Sequence, residues 1–148
     1  MFSDFDAEEL SIKGVKMPLE NPKTGELLEF QSDDDLAPRG AYLTLLGPDS
    51  PETKRALQRL INAEASMKDK GEKSNDQYLA DKKSLCRMLS KLTVDGLVFG
   101  VVDKNLPDAK GAWVPITSDN SYGFYMGASD FRRQAQSFII KPSNFYKG

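Results

Sequence analysis

Apolar residues in the middle of the chain recur at helical spacing. Leu57, Leu60, Ile61 and Ala65 fall at +3, +4 and +8, forming one stripe with charge opposite. The start of this helix is written in Gly47-Pro48-Asp49-Ser50-Pro51-Glu52. Ser50 is placed to cap it, because a serine hydroxyl accepts a bond from an amide of the first turn that has no helical partner. Pro51 suits the first helical position, where its missing N–H costs nothing, and Glu52 sets a negative charge against the positive helix end. Gly71 and its polar neighbours break the pattern. A second helix is predicted from about Asp76 to Lys91, with Tyr78, Leu85, Met88, Leu89 and Leu92 on one face. Two such helices with a short connection pack as an antiparallel hairpin.

The pattern differs on either side. Residues 1–47 show β character and turn punctuation. Asn21-Pro22-Lys23-Thr24-Gly25 separates two extended runs, which predicts a hairpin of about 11–17 with 26–31, Pro18 trimming the first strand. Gly40–Leu46 reads as a third strand, apolar enough to be buried on one face at least. Beyond the helices the chain resumes with Val94–Phe99, the apolar run Leu97–Val102 is strand length, Asp103–Gly111 is a polar loop, and Trp113–Ile116 is a strand or loop segment. Two short helices close the chain. Ser118 is placed to cap the first, which carries Tyr122, Tyr125 and Met126. Ser129 is placed to cap the second, where Phe131, Ala135, Phe138 and Ile139 share a face and Pro142 ends the run. The expectation is a single α+β domain over 1–148: a small β-rich N-terminal part (1–47), then a mainly helical body of about four helices (48–148).

Composition narrows the chemistry. The 148 residues include no histidine and one cysteine, Cys86. That excludes His-dependent dyads and triads, Cys/His zinc sites, an intrachain disulfide and a CxxC redox pair. The mean hydropathy of −0.49 is that of a polar globular chain. Met1–Leu10 carries four acids and no base, opposite to a secretory leader. No apolar run approaches the roughly 20 residues a membrane span needs. Cytoplasmic residence is expected. The net charge of −2 is a sum of unlike parts: residues 1–35 hold ten acids and three bases, residues 36–148 twelve acids and seventeen bases. The later bases are interleaved with acids, as in Glu64, Lys68, Asp69, Lys70, Glu72 and Lys73, which reads as a solvated helix face and not a nucleic-acid surface.

Local candidates for chemistry are sparse. Asp33, Asp34 and Asp35 offer oxygen ligands, but the calcium-loop spacing is absent and adjacent acids in a polar stretch are usually solvated. No phosphate-cradling glycine loop occurs. Ser84 beside Lys82 and Lys83 has the residue types of a Ser–Lys pair, on the solvated side of its helix. Cys86 reads as a small apolar residue. Trp113, Tyr122, Phe124, Tyr125 and Phe131 concentrate aromatic area that core packing accounts for, with stacking on single-stranded nucleic acid or a protein surface as other uses. No catalytic residue, metal or cofactor is expected.

The C-terminal run Ser129-Asp-Phe-Arg-Arg-Gln-Ala-Gln-Ser-Phe-Ile139 with Asn144-Phe145 completes a set of short motifs. Together with Gly47–Glu52 and the Trp113–Asn120 step into a Tyr-rich helix, it resembles the tail assembly chaperones of long-tailed bacteriophages, over about two-thirds of the chain. The matching positions are Arg132 or Arg133, Gln134 or Gln136, Phe138, Asn144 and Phe145. Such proteins commonly place a tryptophan near Val94–Phe99, where this chain has Leu97 and only later Trp113. The resemblance implies a non-enzymatic protein of the bacterial host cytoplasm. It would bind the tape measure protein, help recruit tail tube subunits and be absent from the finished virion; self-association is a further expectation, from the unlike charge of the two parts of the chain. Many such chaperones are made in two lengths, and this chain resembles the short form. The residues assigned to protein binding are Phe131, Arg132, Arg133, Gln134, Phe138 and Phe145, with a core role for Phe131 and Phe138 as the competing reading. Two other functions stay open: a structural virion subunit such as a tail terminator or head–tail connector, and a nucleic-acid-binding accessory protein.

Overall fold

A computed structural model describes residues 6–30, 38–67, 75–99 and 113–147, with 63–67 described by backbone alone. The acidic segment Asp33–Asp35, the break around Gly71 and the loop Asp103–Gly111 lie outside these residues. In chain order the elements are α1 (Glu8–Lys13), β1 (Val15–Pro18), β2 (Glu29–Phe30), β3 (Arg39–Gly40), β4 (Tyr42–Leu45), α2 (Pro51–Met67), α3 (Asn75–Lys91), β5 (Thr93–Phe99), β6 (Trp113–Ile116), α4 (Ser121–Gly127) and α5 (Ser129–Ile139). A closing 3-10 turn, Pro142–Phe145, follows.

The fold is α+β. Its main sheet is antiparallel with strand order β1-β4-β5-β6, and β2 and β3 form a separate two-stranded ribbon. One face of the sheet is apolar and covered. Met17, Leu43, Leu45, Val98 and Ile116 point into a core shared with Cys86, Leu89 and Leu92 of the α3 end, Phe124 and Tyr125 of α4, and Phe131, Ala135 and Ile139 of α5. Each leucine removed from water here contributes about 2 kcal/mol. The other face carries Lys16, Tyr42, Thr44, Asp95 and Leu97, exposed or half-buried. Lys16 Nζ lies 4.4 Å over the Tyr42 ring. Gly96 sits on the covered face of the central strand β5, where a β-carbon would meet Leu43 Cδ2 at 2.8 Å and Tyr42 O at 2.9 Å. Its lack of a side chain lets the strands and Ile116 close up.

The β part is not confined to the N-terminal third, as the sequence pattern implied. Half of the main sheet, β5 and β6, comes from residues beyond 92, and the α2–α3 pair departs from β4 and returns to β5. Local periodicity identifies a strand but not its partner, and β5 finds its partner across the whole helical insertion. The expected hairpin is also shifted. The turn at Asn21–Gly25 forms, with Gly25 N bonding Asn21 O at 2.8 Å and Gly25 at φ 74°. Only residues 19–21 pair with 26–28, however, while β1 pairs with β4 instead. The proposed first strand fails upstream because residues 8–13 are helical and Gly14, at φ 91°, turns the chain.

The helix start at Ser50 forms as expected: Ser50 Oγ accepts from Thr53 N at 3.0 Å and bonds Thr53 Oγ1 at 2.7 Å. The two later caps do not form. Ser118 lies ahead of Asn120, whose amide accepts from Thr117 N at 2.7 Å and donates to Pro115 O at 2.9 Å. Ser129 is already the first residue of α5, because Ala128 alone separates α4 from α5 and leaves no position for a serine cap. Two members of the helical stripes are exposed, Ile61 at 58% and Tyr78 at 61%. Burial along α3 is complete only from Cys86 onward, and Tyr78, the stripe member of its first half, is exposed.

Helix α1 has little apolar periodicity and was not legible. It is held by tertiary contacts: Ser11 is buried, and Glu9 bonds Lys13 at 3.0 Å and pairs with Lys147 near the C-terminal end. Hydrogen bonding from Lys147, then from Lys13, draws the Glu9 carboxyl from an ordinary 4.5 to about 2. The folded value is below the unfolded one, so this stabilisation is complete above the unfolded value and fades as pH falls from about 4.5 toward 2. Glu9→Gln is therefore expected to speed amide exchange in α1 above that window and to match the parent chain at its acid end. A difference that persists unchanged into strong acid would rule out the ion pair as its source.

Candidate functional site

The six residues assigned to protein binding do not form one surface. Phe131 is buried and stacks on Phe124, with ring centroids 6.2 Å apart. Phe145 is fully buried and meets Phe138 edge-on at 5.5 Å. Arg132 turns inward: its Nη1 donates to Tyr125 O at 2.9 Å and lies 3.9 Å from Cys86 Sγ. These three belong to the architecture of the helical layer. The core alternative is what the structure gives for Phe131. A half-turn of difference along α5 separates such residues from accessible ones, and the sequence signal of an aromatic or an arginine is the same in both settings.

Arg133, Gln134 and Phe138 do come together. They line an open cleft of about 610 Å³ between α5 and the β1 end of the sheet, whose other wall includes Met17, Pro18 and Glu20 and whose far end is Lys141 and Asn144. Gln134 joins the two walls. Its Oε1 accepts from Glu20 N at 3.0 Å and its Nε2 donates to Glu20 O at 2.9 Å, so one amide satisfies both backbone groups of a residue 114 positions away. Arg133 is exposed and pairs with Asp130. Asn144 Nδ2 donates to Phe138 O at 3.0 Å, fastening the closing turn to α5. Its described lining carries both signs of charge, Glu20 and Asp130 with Arg133 and Lys141.

Two of the remaining chemical candidates, Cys86 and Tyr125, are packed in the core. Cys86 is fully buried, and burial raises its thiol pKa, with the Arg132 guanidinium opposing. Tyr125 is raised strongly for the same first cause; its hydroxyl bonds Thr93 Oγ1 at 2.6 Å, and that hydroxyl in turn donates to Leu89 O at 2.7 Å. The relay fixes α4 against the junction of α3 and β5. Trp113 leaves the core aromatics and joins Phe30 and Phe99 instead, at 6.2 and 5.3 Å, so the ribbon's Phe30 is stacked onto the sheet end. Ser84 is exposed on α3. Among the described residues no group of three or more acidic or cysteine side chains is placed to hold a metal, and no helix is long and apolar enough to cross a membrane.

The sequence reading missed a second depression. Between α2 and α3, Ala56, Leu60 and Met88 form an apolar floor of a groove of about 210 Å³, bordered by Arg59, Arg87 and Lys91. Arg87 and Lys91 also border an adjoining hollow of about 270 Å³ against Ser90 and Tyr122. A one-dimensional pattern counts these bases among interleaved acids; only the packing of the two helices collects them on one edge. The signal available was the i, i+4 spacing of Arg87 and Lys91 beside Met88. The chain matches no protein-family model, no curated protein and no solved structure.

Proposed function

We propose that this chain is a non-enzymatic assembly chaperone of a long-tailed bacteriophage, acting in the host cytoplasm on the tape measure protein and helping to recruit tail tube subunits. The reading rests on the order of the motifs at Gly47–Glu52, Trp113–Asn120 and Ser129–Phe145. One spatial observation supports it above the others: the first and last of these motifs, almost a hundred residues apart, touch. A β-carbon on Gly47 would lie 2.7 Å from the Phe145 ring, so the glycine of one motif is the floor on which the aromatic of the other rests. Motifs that co-occur in a family because they pack together are expected to do this. A holdase needs grooves and a polar outer surface, and no titrating or metal-binding group.

Arg133 is the cleanest probe of the α5 cleft, since its side chain is 70% exposed and pairs only locally with Asp130. Phe138→Asp would disturb Phe145 and confuse folding with contact. Co-expression with the product of a neighbouring long, helix-rich reading frame is expected to keep that product in the supernatant. Arg133→Glu should lower its recovery severalfold while the chain's own yield is unchanged. Mass spectrometry of purified particles should find the chain missing; its presence at structural copy number would replace the chaperone reading with that of a virion subunit.

A further inference from the structure

We propose that the groove between α2 and α3 is a docking site for an acidic amphipathic helix of a partner protein. The site is separate from the α5 cleft, and the inference does not depend on the tail-assembly reading. Three observations carry it. The floor is apolar, with Met88 at 8% exposure and Leu60 and Ala56 half-buried, so it calls for an aliphatic or aromatic side chain and not a hydrated ion. The rim is cationic: Arg59 on one helix and Arg87 and Lys91 on the other line the groove, with no acid among its described lining residues. None of the three is ion-paired among the described residues, although Arg55, Lys13, Arg133 and Lys147 are. The charge available at the rim is therefore not already neutralised.

Geometry selects a helix. Arg87 and Lys91 are one turn apart, with side-chain origins about 6 Å from each other, which is the spacing of carboxylates at i and i+4 on a partner helix. Leu60 with Ala56 on α2 repeats that spacing, as do Met88 and Ser84 on α3, so the groove is lined for about one turn of α2 and about two turns of α3. A partner presenting apolar residues at i and i+4, flanked by glutamates, fills the floor and meets the rim in one pose. Guanidinium groups suit this rim because their planar donor fork takes a carboxylate in two parallel bonds. The Arg87 guanidinium lies 6.0 Å from the centre of the Tyr122 ring, which gives the cation a resting position beside the groove. Single-stranded nucleic acid fits less well: the floor is aliphatic and the neighbouring ring, Tyr122, is under that arginine.

The test uses the full chain and a labelled synthetic helical peptide of about 18 residues, five turns long, with leucines on one face flanked by glutamates. A second peptide replaces every glutamate by lysine. Fluorescence anisotropy is expected to show the glutamate peptide binding at least tenfold tighter, with affinity falling as salt rises. In the Arg59→Glu/Arg87→Glu chain the preference should invert, and this gain of binding by the lysine peptide also reports that the variant is folded. If that chain loses its cooperative unfolding transition, the milder Arg59→Gln/Arg87→Gln pair decides: a fivefold or larger loss of the glutamate peptide supports the site. Equal binding of both peptides, or unchanged binding by the milder variant, overturns it. Displacement of the peptide by a labelled polythymidine strand at equal concentration also overturns it, in favour of a general polyanion surface.

Discussion

Phe145→Ala is expected to destabilise the fold by about 3–5 kcal/mol, as for other fully buried phenylalanines cut back to alanine. The ring is completely buried, packs edge-on to Phe138 and closes over Gly47, so its removal opens a cavity where α1, the β4 end and the closing turn meet. Chemical denaturation of the parent and variant chains measures the effect directly, and the midpoint of thermal unfolding should fall by roughly 10 °C. The result matters for function because Phe145 belongs to the motif that suggested a binding surface. A contact residue at the surface changes stability by less than about 0.5 kcal/mol when truncated. A loss that small would show that the closing turn does not hold the fold, and would return Phe145 to the list of candidate contacts.

Gly47→Ala is expected to act from the other side of the same joint. Its backbone needs no left-handed conformation, since only Gly14 and Gly25 have positive φ among the described residues. The cost comes from space: the new methyl would meet Phe145 Cγ and Cδ1 at 2.7 Å and the Ser11 hydroxyl closer still. Gly47 N also bonds Ser11 O at 3.0 Å and Asp49 N bonds Ser11 Oγ at 3.3 Å, so the segment has little freedom to retreat. Overpacking of this kind costs about 1–3 kcal/mol. The sharper measurement is the double variant. Phe145→Leu should relieve part of the clash, making Gly47→Ala/Phe145→Leu more stable than the sum of the single losses by at least about 0.5 kcal/mol. Strict additivity would mean that the glycine and the ring do not share one packing site.

Much of the helical structure was legible because its signals are local. Ser50, Pro51 and Glu52 act within one turn, and the Ser50 hydroxyl makes its capping bond whatever the rest of the chain does. The apolar spacing of Leu85, Met88, Leu89 and Leu92 describes a stripe before anything is packed against it. The same kind of evidence misled at Tyr78 and Ile61, where the stripe continues but both side chains are exposed. It also misled at Ser118 and Ser129, where the residue type is right but Asn120 and Ala128 stand at the capping positions. In the candidate site, Arg132 and Arg133 are adjacent arginines with the same intrinsic chemistry. One spends its guanidinium on Tyr125 O inside the helical layer, the other points into the open cleft.

What the sequence by itself determined is the α+β class, the start of α2, the span of α3, the turn at Asn21–Gly25 and an inventory lacking histidine-based chemistry. Each follows from residue type or from spacing over a few positions. Only the tertiary structure decided that β5 and β6 complete the sheet begun by β1 and β4, that Gly47 lies under Phe145, and that Arg59, Arg87 and Lys91 border one apolar groove. Those are relations between segments 28 to 98 residues apart. They arise because burying apolar area and pairing backbone groups are satisfied by the whole chain at once, and no local pattern records which distant segment supplies the partner.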